Sequence, residues 1–103
     1  MRFYSLEKLI NLYDGYRKAF KIDQYRFMLV QVDGERYLFD SHCPHQGHPL
    51  IDSDIIGNDL RCPLHGYHFD IVTGKPTRTT SEPCRALQIY ELVYQQRDIG
   101  VML

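Results

Sequence analysis

Runs of apolar residues predict antiparallel β-strands in the first forty residues of this 103-residue chain. Tyr25–Val32 is rich in β-branched and aromatic residues, and the Asp33-Gly34 pair that follows it is typical of a hairpin turn. Glu35–Asp40 is then the returning partner strand. Tyr16–Ile22, which follows a turn at Asp14-Gly15, is predicted as a further strand.

The two ends of the chain carry the remaining predicted elements. Ser5–Tyr13 is predicted to form one or two helical turns, with Ser5 as the N-terminal cap. At the other end, Ala86–Tyr94 and Ile99–Leu103 are predicted as strands that a turn near Arg97-Asp98 connects. The outer segments are therefore predicted to form a β scaffold.

The pattern changes between Ser41 and about Gly74. Four glycines and three prolines interrupt any long regular element there, and all five histidines of the chain lie in this stretch. We therefore predict one domain, 1–103, with a scaffold at about 1–41 and 75–103. An insertion at about 42–74 is expected to carry the chemistry.

Composition and charge exclude several classes of protein. The formal net charge is −1, with no lysine- or arginine-rich run, which argues against a nucleic-acid-binding protein. The first residues contain no apolar core of a secretory signal, and no stretch is long enough to span a bilayer, so a cytoplasmic location away from membranes is expected. Three cysteines, an odd number, favour metal ligation over a disulfide framework.

Two short clusters in the insertion offer metal ligands. The first is Cys43-Pro44-His45-Gln46-Gly47 and the second is Cys62-Pro63-Leu64-His65-Gly66. Each provides one soft thiolate and one borderline imidazole. The proline after each cysteine stiffens the loop, and the glycine after the histidine allows conformations that bring backbone amides close to a ligand. Two pairs on two loops give four ligands, which is enough to close one metal site.

The spacing and context of these clusters resemble Rieske ferredoxins and the Rieske domains of ring-hydroxylating oxygenases. The likeness extends through Cys43–Leu50, Cys62–Asp70 and Thr73-Gly74. It implies an all-β Rieske iron–sulfur fold, in which an antiparallel sandwich or barrel scaffold carries an inserted cluster-binding subdomain of two loops. It also implies one [2Fe–2S] cluster, with Cys43 and Cys62 on the inner iron and His45 and His65 on the outer iron.

The resemblance implies an electron-transfer protein and not an enzyme. A ferredoxin of this kind takes single electrons from an NAD(P)H-dependent reductase and passes them to a terminal oxygenase or another redox protein. Two other interpretations stay open. The chain is alternatively a small subunit of a larger oxidoreductase of the nitrite-reductase type, or a binding module that is stabilised by zinc or senses redox state.

Departures from the high-potential Rieske pattern imply a low reduction potential. Those proteins carry cysteines at the positions of His48 and Leu64, so their loop-bridging disulfide is impossible here. They also carry serine at the position of Tyr67 and tyrosine at that of Phe69. Because hydroxyls that donate to cluster sulfur raise the potential, and Phe69 has none, we expect a value near the bottom of the Rieske range.

Further residues are candidates for the surroundings of the cluster and not for ligation. His42, His48 and His68 are interpreted as loop residues or local hydrogen-bond partners, because four ligands already saturate the site. Pro83 and Cys84 are predicted to belong to the proline-containing loop that covers Rieske clusters. Alternatively, Cys84 is a small buried apolar residue. The predicted surroundings comprise Gly47, His48, Leu64, Gly66, Tyr67, Phe69, Pro83 and Cys84.

Overall fold

A computed structural model describes residues 1–44, 47–63, 66–79 and 84–103, which contain eleven β-strands and no α-helix. The strands are β1 (Phe3–Lys8), β2 (Arg17–Ile22), β3 (Tyr25–Val32), β4 (Glu35–Asp40), β5 (Asp54–Ile56), β6 (Asp59–Arg61), β7 (His68–Asp70), β8 (Pro76–Arg78), β9 (Ile89–Tyr90), β10 (Val93–Gln95) and β11 (Asp98–Met102). The predicted all-β class is confirmed. Within these ranges, no helix has the length and apolar character needed to cross a membrane.

The strands form three antiparallel sheets, in the orders β1-β11-β10, β2-β3-β4-β9 and β5-β6-β7-β8. The predicted hairpin of β3 and β4 is confirmed with the same bounds. Its turn residues Asp33 and Gly34 have φ angles of 51° and 81°, the left-handed pair that a two-residue hairpin turn of type I′ requires. The third sheet begins within the Gly- and Pro-rich middle of the chain and ends just beyond it, at β8.

Two predictions at the chain ends are wrong. Ser5–Tyr13 contains the end of strand β1 and a single 3-10 turn at Leu9–Asn11, because β1 pairs with β11 from the far end of the chain. The Ser5 hydroxyl donates to Asp98 Oδ2 at 2.8 Å and caps no helix. Ala86–Tyr94 is not one strand, because the chain leaves the second sheet after β9 and joins the first sheet at β10.

Strand β3 is buried on both faces and joins two apolar clusters. Phe27 and Leu29 pack in one cluster with Ile99 and Val101 of β11, and Met28 and Val30 pack in the other. The second cluster also contains Leu60 and Phe69 from the third sheet and Ile71 just after β7, together with Cys43 and Cys62. The second sheet is therefore the middle layer, and the two cysteines lie on the side that faces the third sheet.

Gly74 lies in the turn after β7, where the backbone comes close to the backbone at Leu87. Its φ angle is 80°, and its carbonyl oxygen accepts a hydrogen bond of 2.7 Å from the Leu87 N–H. A Cβ atom at this position would overlap the Leu87 carbonyl oxygen. The close approach of two backbone segments therefore requires glycine here.

A small polar network joins the 3-10 turn to the start of β2. Glu7 accepts hydrogen bonds from Asn11 Nδ2 (2.9 Å), the Lys8 N–H (2.9 Å) and the Tyr16 hydroxyl (2.7 Å). These donors, Asn11 first, lower the pKa of Glu7 from 4.5 to about 2. The pKa of Tyr16 is raised, mainly by burial and also by its bond to Glu7. Ionised Glu7 is therefore the stabilised form in the folded protein.

Replacing Tyr16 with phenylalanine should make the protein less stable by about 1 kcal/mol at neutral pH, because one donor to ionised Glu7 is lost. A carboxylate with a lowered folded-state pKa stabilises above its unfolded value of 4.5, and this contribution disappears as pH falls towards about 2. The difference between wild type and Tyr16→Phe should therefore shrink across that window. Denaturant unfolding at several pH values measures it.

Tyr13→Phe is the matched control. The Tyr13 ring packs edge-on against Tyr16, but Tyr13 is 62% exposed. This substitution should change stability little at any pH. A Tyr16→Phe penalty that is the same at pH 7 and pH 2 would show that the hydroxyl acts independently of Glu7 ionisation.

Candidate metal centre

Two loops of equal size carry the predicted cysteine ligands. The Cys43 N–H donates to the His48 carbonyl oxygen at 2.8 Å, and the Cys62 N–H donates to the Tyr67 carbonyl oxygen at the same distance. Each bond spans five residues, and each begins at a cysteine that proline follows. The two predicted clusters therefore share one type of backbone closure.

Glycine occupies the same place in both loops, four residues after the cysteine. Gly47 and Gly66 each have a φ angle of 70°, in the left-handed region that side chains rarely adopt. Among the described residues other than its chain neighbours, no heavy atom lies within 4 Å of a Cβ built on either glycine, so the backbone angle and not the available space favours glycine. Gly47 also donates its N–H to the Cys43 carbonyl oxygen at 2.7 Å, which tightens the first loop.

The structure brings Cys43 and Cys62 together in one apolar cluster. Each residue is 3% exposed, and both pack with Leu50, Leu60 and Phe69. Neither forms a disulfide. The two loops thus place two soft donors in a region from which water is excluded, which is the environment a buried metal–thiolate centre needs.

His45 and His65 lie outside the described residues, as do Leu64 and Pro83. Imidazole ligation by His45 and His65 therefore stays a prediction. The described residues contain no group of three His, Cys, Asp or Glu side chains placed to hold a metal ion.

Three of the predicted surrounding residues pack in or against the same cluster as the cysteines. Tyr67 and Phe69 are fully buried within it. Cys84 is half-buried and packs against it. Burial and the nearby Cys43 both raise the pKa of the Cys84 thiol, which keeps it neutral at physiological pH.

Two of the other histidines have polar partners close by in the structure. His42 Nδ1 lies 2.7 Å from the Ser41 hydroxyl, and burial together with the nearby Arg26 lowers the pKa of His42. His68 Nδ1 lies 3.1 Å from Asp59 Oδ2 on the neighbouring strand. Each of these two side chains therefore has a polar partner nearby.

Arg17 is a positioning residue that the sequence analysis missed. Its Nη1 atom donates to the carbonyl oxygens of Ile51 (2.8 Å) and Ser53 (2.5 Å). These two residues follow Leu50, whose N–H donates to Ser41 just before the first loop. Arg17 therefore ties the segment that leaves the first loop to strand β2. Its partners are backbone atoms, so no pattern of side chains could have indicated the contact.

Comparison with known proteins gives a consistent family. The family model of the Rieske [2Fe–2S] domain matches residues 3–91. The ferredoxin component of the naphthalene 1,2-dioxygenase/salicylate 5-hydroxylase systems of Ralstonia sp is 36% identical over 55 residues, which cover 53% of each chain. The ferredoxin component of the naphthalene 1,2-dioxygenase system of Pseudomonas putida is 40% identical over 47 residues, 46% of this chain and 45% of that one.

A solved structure extends the similarity to the whole fold. The ferredoxin of carbazole 1,9a-dioxygenase from Nocardioides aromaticivorans IC177 superposes with a TM-score of 0.80 and 27% identity. The match covers 98% of this chain and 97% of that one. The sequence alignments are shorter, since the chain spans about half the length of the curated relatives it matches.

Replacing Arg17 with glutamine should loosen the segment that leaves the first loop. Two partly buried carbonyl acceptors lose a charged donor, which should cost roughly 1–3 kcal/mol of stability. The melting temperature should fall, and amide hydrogen exchange at Ser53, whose N–H donates to the Leu50 carbonyl oxygen, should accelerate. Lys18→Gln on the same strand is the matched control, because Lys18 is exposed. Unchanged exchange at Ser53 in Arg17→Gln would contradict the positioning role.

Proposed function

Because the chain belongs to the Rieske [2Fe–2S] domain family, we propose that it is a one-electron carrier between a reductase and an acceptor protein. The observation that carries the proposal is the pair of equally closed loops that bury Cys43 and Cys62 in one apolar cluster. Nothing in this role requires a substrate pocket. The protein therefore acts as a component of an oxidoreductase system and not as its catalyst.

Cys43, His45, Cys62 and His65 are the proposed ligands of the family's [2Fe–2S] cluster. When bound, such a cluster takes up and releases one electron, and histidine ligation at one iron raises its potential above that of all-cysteine ferredoxins. The donor set fits this group, because two buried thiols are held on separate loops and each loop also carries one histidine. In this proposal the cysteines bind the inner iron and the histidines the outer iron.

The partners of the protein are proposed from those of its relatives. The Ralstonia and Pseudomonas relatives are ferredoxin components of dioxygenase systems. If this chain has the same place in such a system, an NAD(P)H-dependent reductase would supply electrons to it and a terminal oxygenase or similar acceptor would receive them. We further propose a cytoplasmic protein and a single domain, with a scaffold at about 1–41 and 75–103 and a cluster-binding insertion at about 42–74.

The residues around the cysteines provide the environment for electron transfer and are not themselves oxidised or reduced. The apolar cluster around the cysteines excludes water. The backbone hydrogen bonds that close the two loops limit the movement of the backbone when the charge of the site changes. Contacts with partners would be small and short-lived, as is typical of redox encounters.

Spectroscopy before and after reduction with dithionite tests the proposed ligand set. The wild type should contain iron and acid-labile sulfide, absorb in the visible range and give an electron paramagnetic resonance signal on reduction. Cys43→Ser and Cys62→Ser should abolish or strongly reduce this signal, because each removes a thiolate ligand. Cys84→Ser is the matched control and should retain the cluster. Colourless, redox-inactive wild-type protein that contains zinc would overturn the proposal.

The reduction potential should be low, at roughly −150 mV. Phe69 is fully buried and offers no hydroxyl to a cluster sulfur, and residues 48 and 64 are not cysteines that could join the loops. A redox titration followed by electron paramagnetic resonance measures this value. Phe69→Tyr should raise the potential, and Phe20→Tyr in the scaffold should leave it unchanged. A wild-type potential well above zero would contradict the expectation.

A further inference from the structure

A polar groove of about 330 Å³ lies beside the first ligand loop. Pro44 and Gly47, which flank the proposed ligand His45 in the sequence, form part of its lining, and so does Cys43 itself. A molecule bound in this groove would therefore contact the loop that carries two of the four proposed ligands. The role of electron carrier makes no use of the groove beyond this proximity.

Backbone hydrogen bonds hold the walls of the groove in place. Arg26 belongs to β3, and its carbonyl oxygen accepts from the Ser41 N–H at 2.9 Å. On the other side, the Asp40 N–H donates to the Gln88 carbonyl oxygen at 2.9 Å. The end of β4 is thus fixed between β3 and the segment that leads into β9, so the groove is part of the folded scaffold.

Two guanidinium groups give the groove a positive charge. Arg26 and Arg85 both line it and are exposed, and no carboxylate oxygen lies within 4 Å of either among the residues that the structure describes. Asp40 is the acidic residue of the lining, and its Oδ1 atom accepts a hydrogen bond of 3.0 Å from the His42 N–H. The groove is therefore locally positive in a chain whose net charge is −1.

We propose that this groove binds a carboxylate side chain of the redox partner protein, clamped between Arg26 and Arg85. The inference rests on the proposed electron-carrier function and adds the chemistry of the contact. Guanidinium groups match carboxylates with paired hydrogen bonds, and the match gives both orientation and affinity. An acidic side chain placed here would align the partner with the first ligand loop.

Oxidation of the reduced holoprotein by ferricyanide, followed by stopped-flow absorbance, tests the groove with a simple anionic oxidant. At low ionic strength the double variant Arg26→Gln/Arg85→Gln should react about fivefold more slowly than wild type, because the local attraction is lost. Arg26→Lys/Arg85→Lys should retain most of the rate, since it keeps the charge. The matched control Lys8→Gln/Arg97→Gln removes two charges near the first sheet and should react at the wild-type rate.

A hexaglutamate peptide then tests whether carboxylates on a polypeptide occupy the groove. It should slow ferricyanide oxidation of the wild type and have little effect on Arg26→Gln/Arg85→Gln. Equal rates and equal inhibition in the wild type and this variant would overturn the groove proposal while leaving the electron-carrier function intact. Failure of the carrier function itself would show earlier, as wild-type protein that dithionite cannot reduce.

Discussion

The burial of two cysteines at the start of two closed loops is the constraint on which the rest of the structure depends. A buried backbone N–H must be paired, and in both loops the N–H of the cysteine donates to the carbonyl oxygen five residues later. The reversal that this bond needs requires a left-handed residue, which Gly47 and Gly66 supply at equivalent positions. The positions of the two cysteines therefore follow from the backbone hydrogen bonding of the two loops.

Strand β3 connects this constraint to the remainder of the fold. Met28 and Val30 pack in the cluster that contains both cysteines, whereas Phe27 and Leu29 pack with β11 in the other cluster. A shift of β3 by one residue would exchange the two sets of side chains and disrupt both clusters at once. Arg17 on the neighbouring strand adds a polar link from the same sheet to the segment after the first loop. The second sheet thus helps to fix the position of the first loop.

Local patterns predicted those parts of the structure that depend on neighbouring residues. The β3–β4 hairpin was predictable because two strands and their Asp33-Gly34 turn are adjacent in the sequence. Ser5–Tyr13 was mispredicted because its main partner, β11, lies more than 80 residues away. The break between β9 and β10 depends on which sheet each strand joins, which local propensity does not encode. The spacing of the two motifs singled out Cys43 and Cys62, which the structure buries in one cluster, but no pattern of side chains indicated the contacts of Arg17 with backbone atoms.

The distribution of charge around the site matters more than the total charge of the chain. A net charge of −1 would give weak repulsion of anions if it were spread evenly. At physiological ionic strength, however, charges more than about 8 Å away are largely screened, so a partner that approaches the first loop responds mainly to the nearest side chains. Arg26 and Arg85 are those side chains in the groove, and Asp40 offsets only one of them. In the proposed role, a nearly neutral carrier would therefore select an acidic partner at one edge without attracting anions over its whole surface.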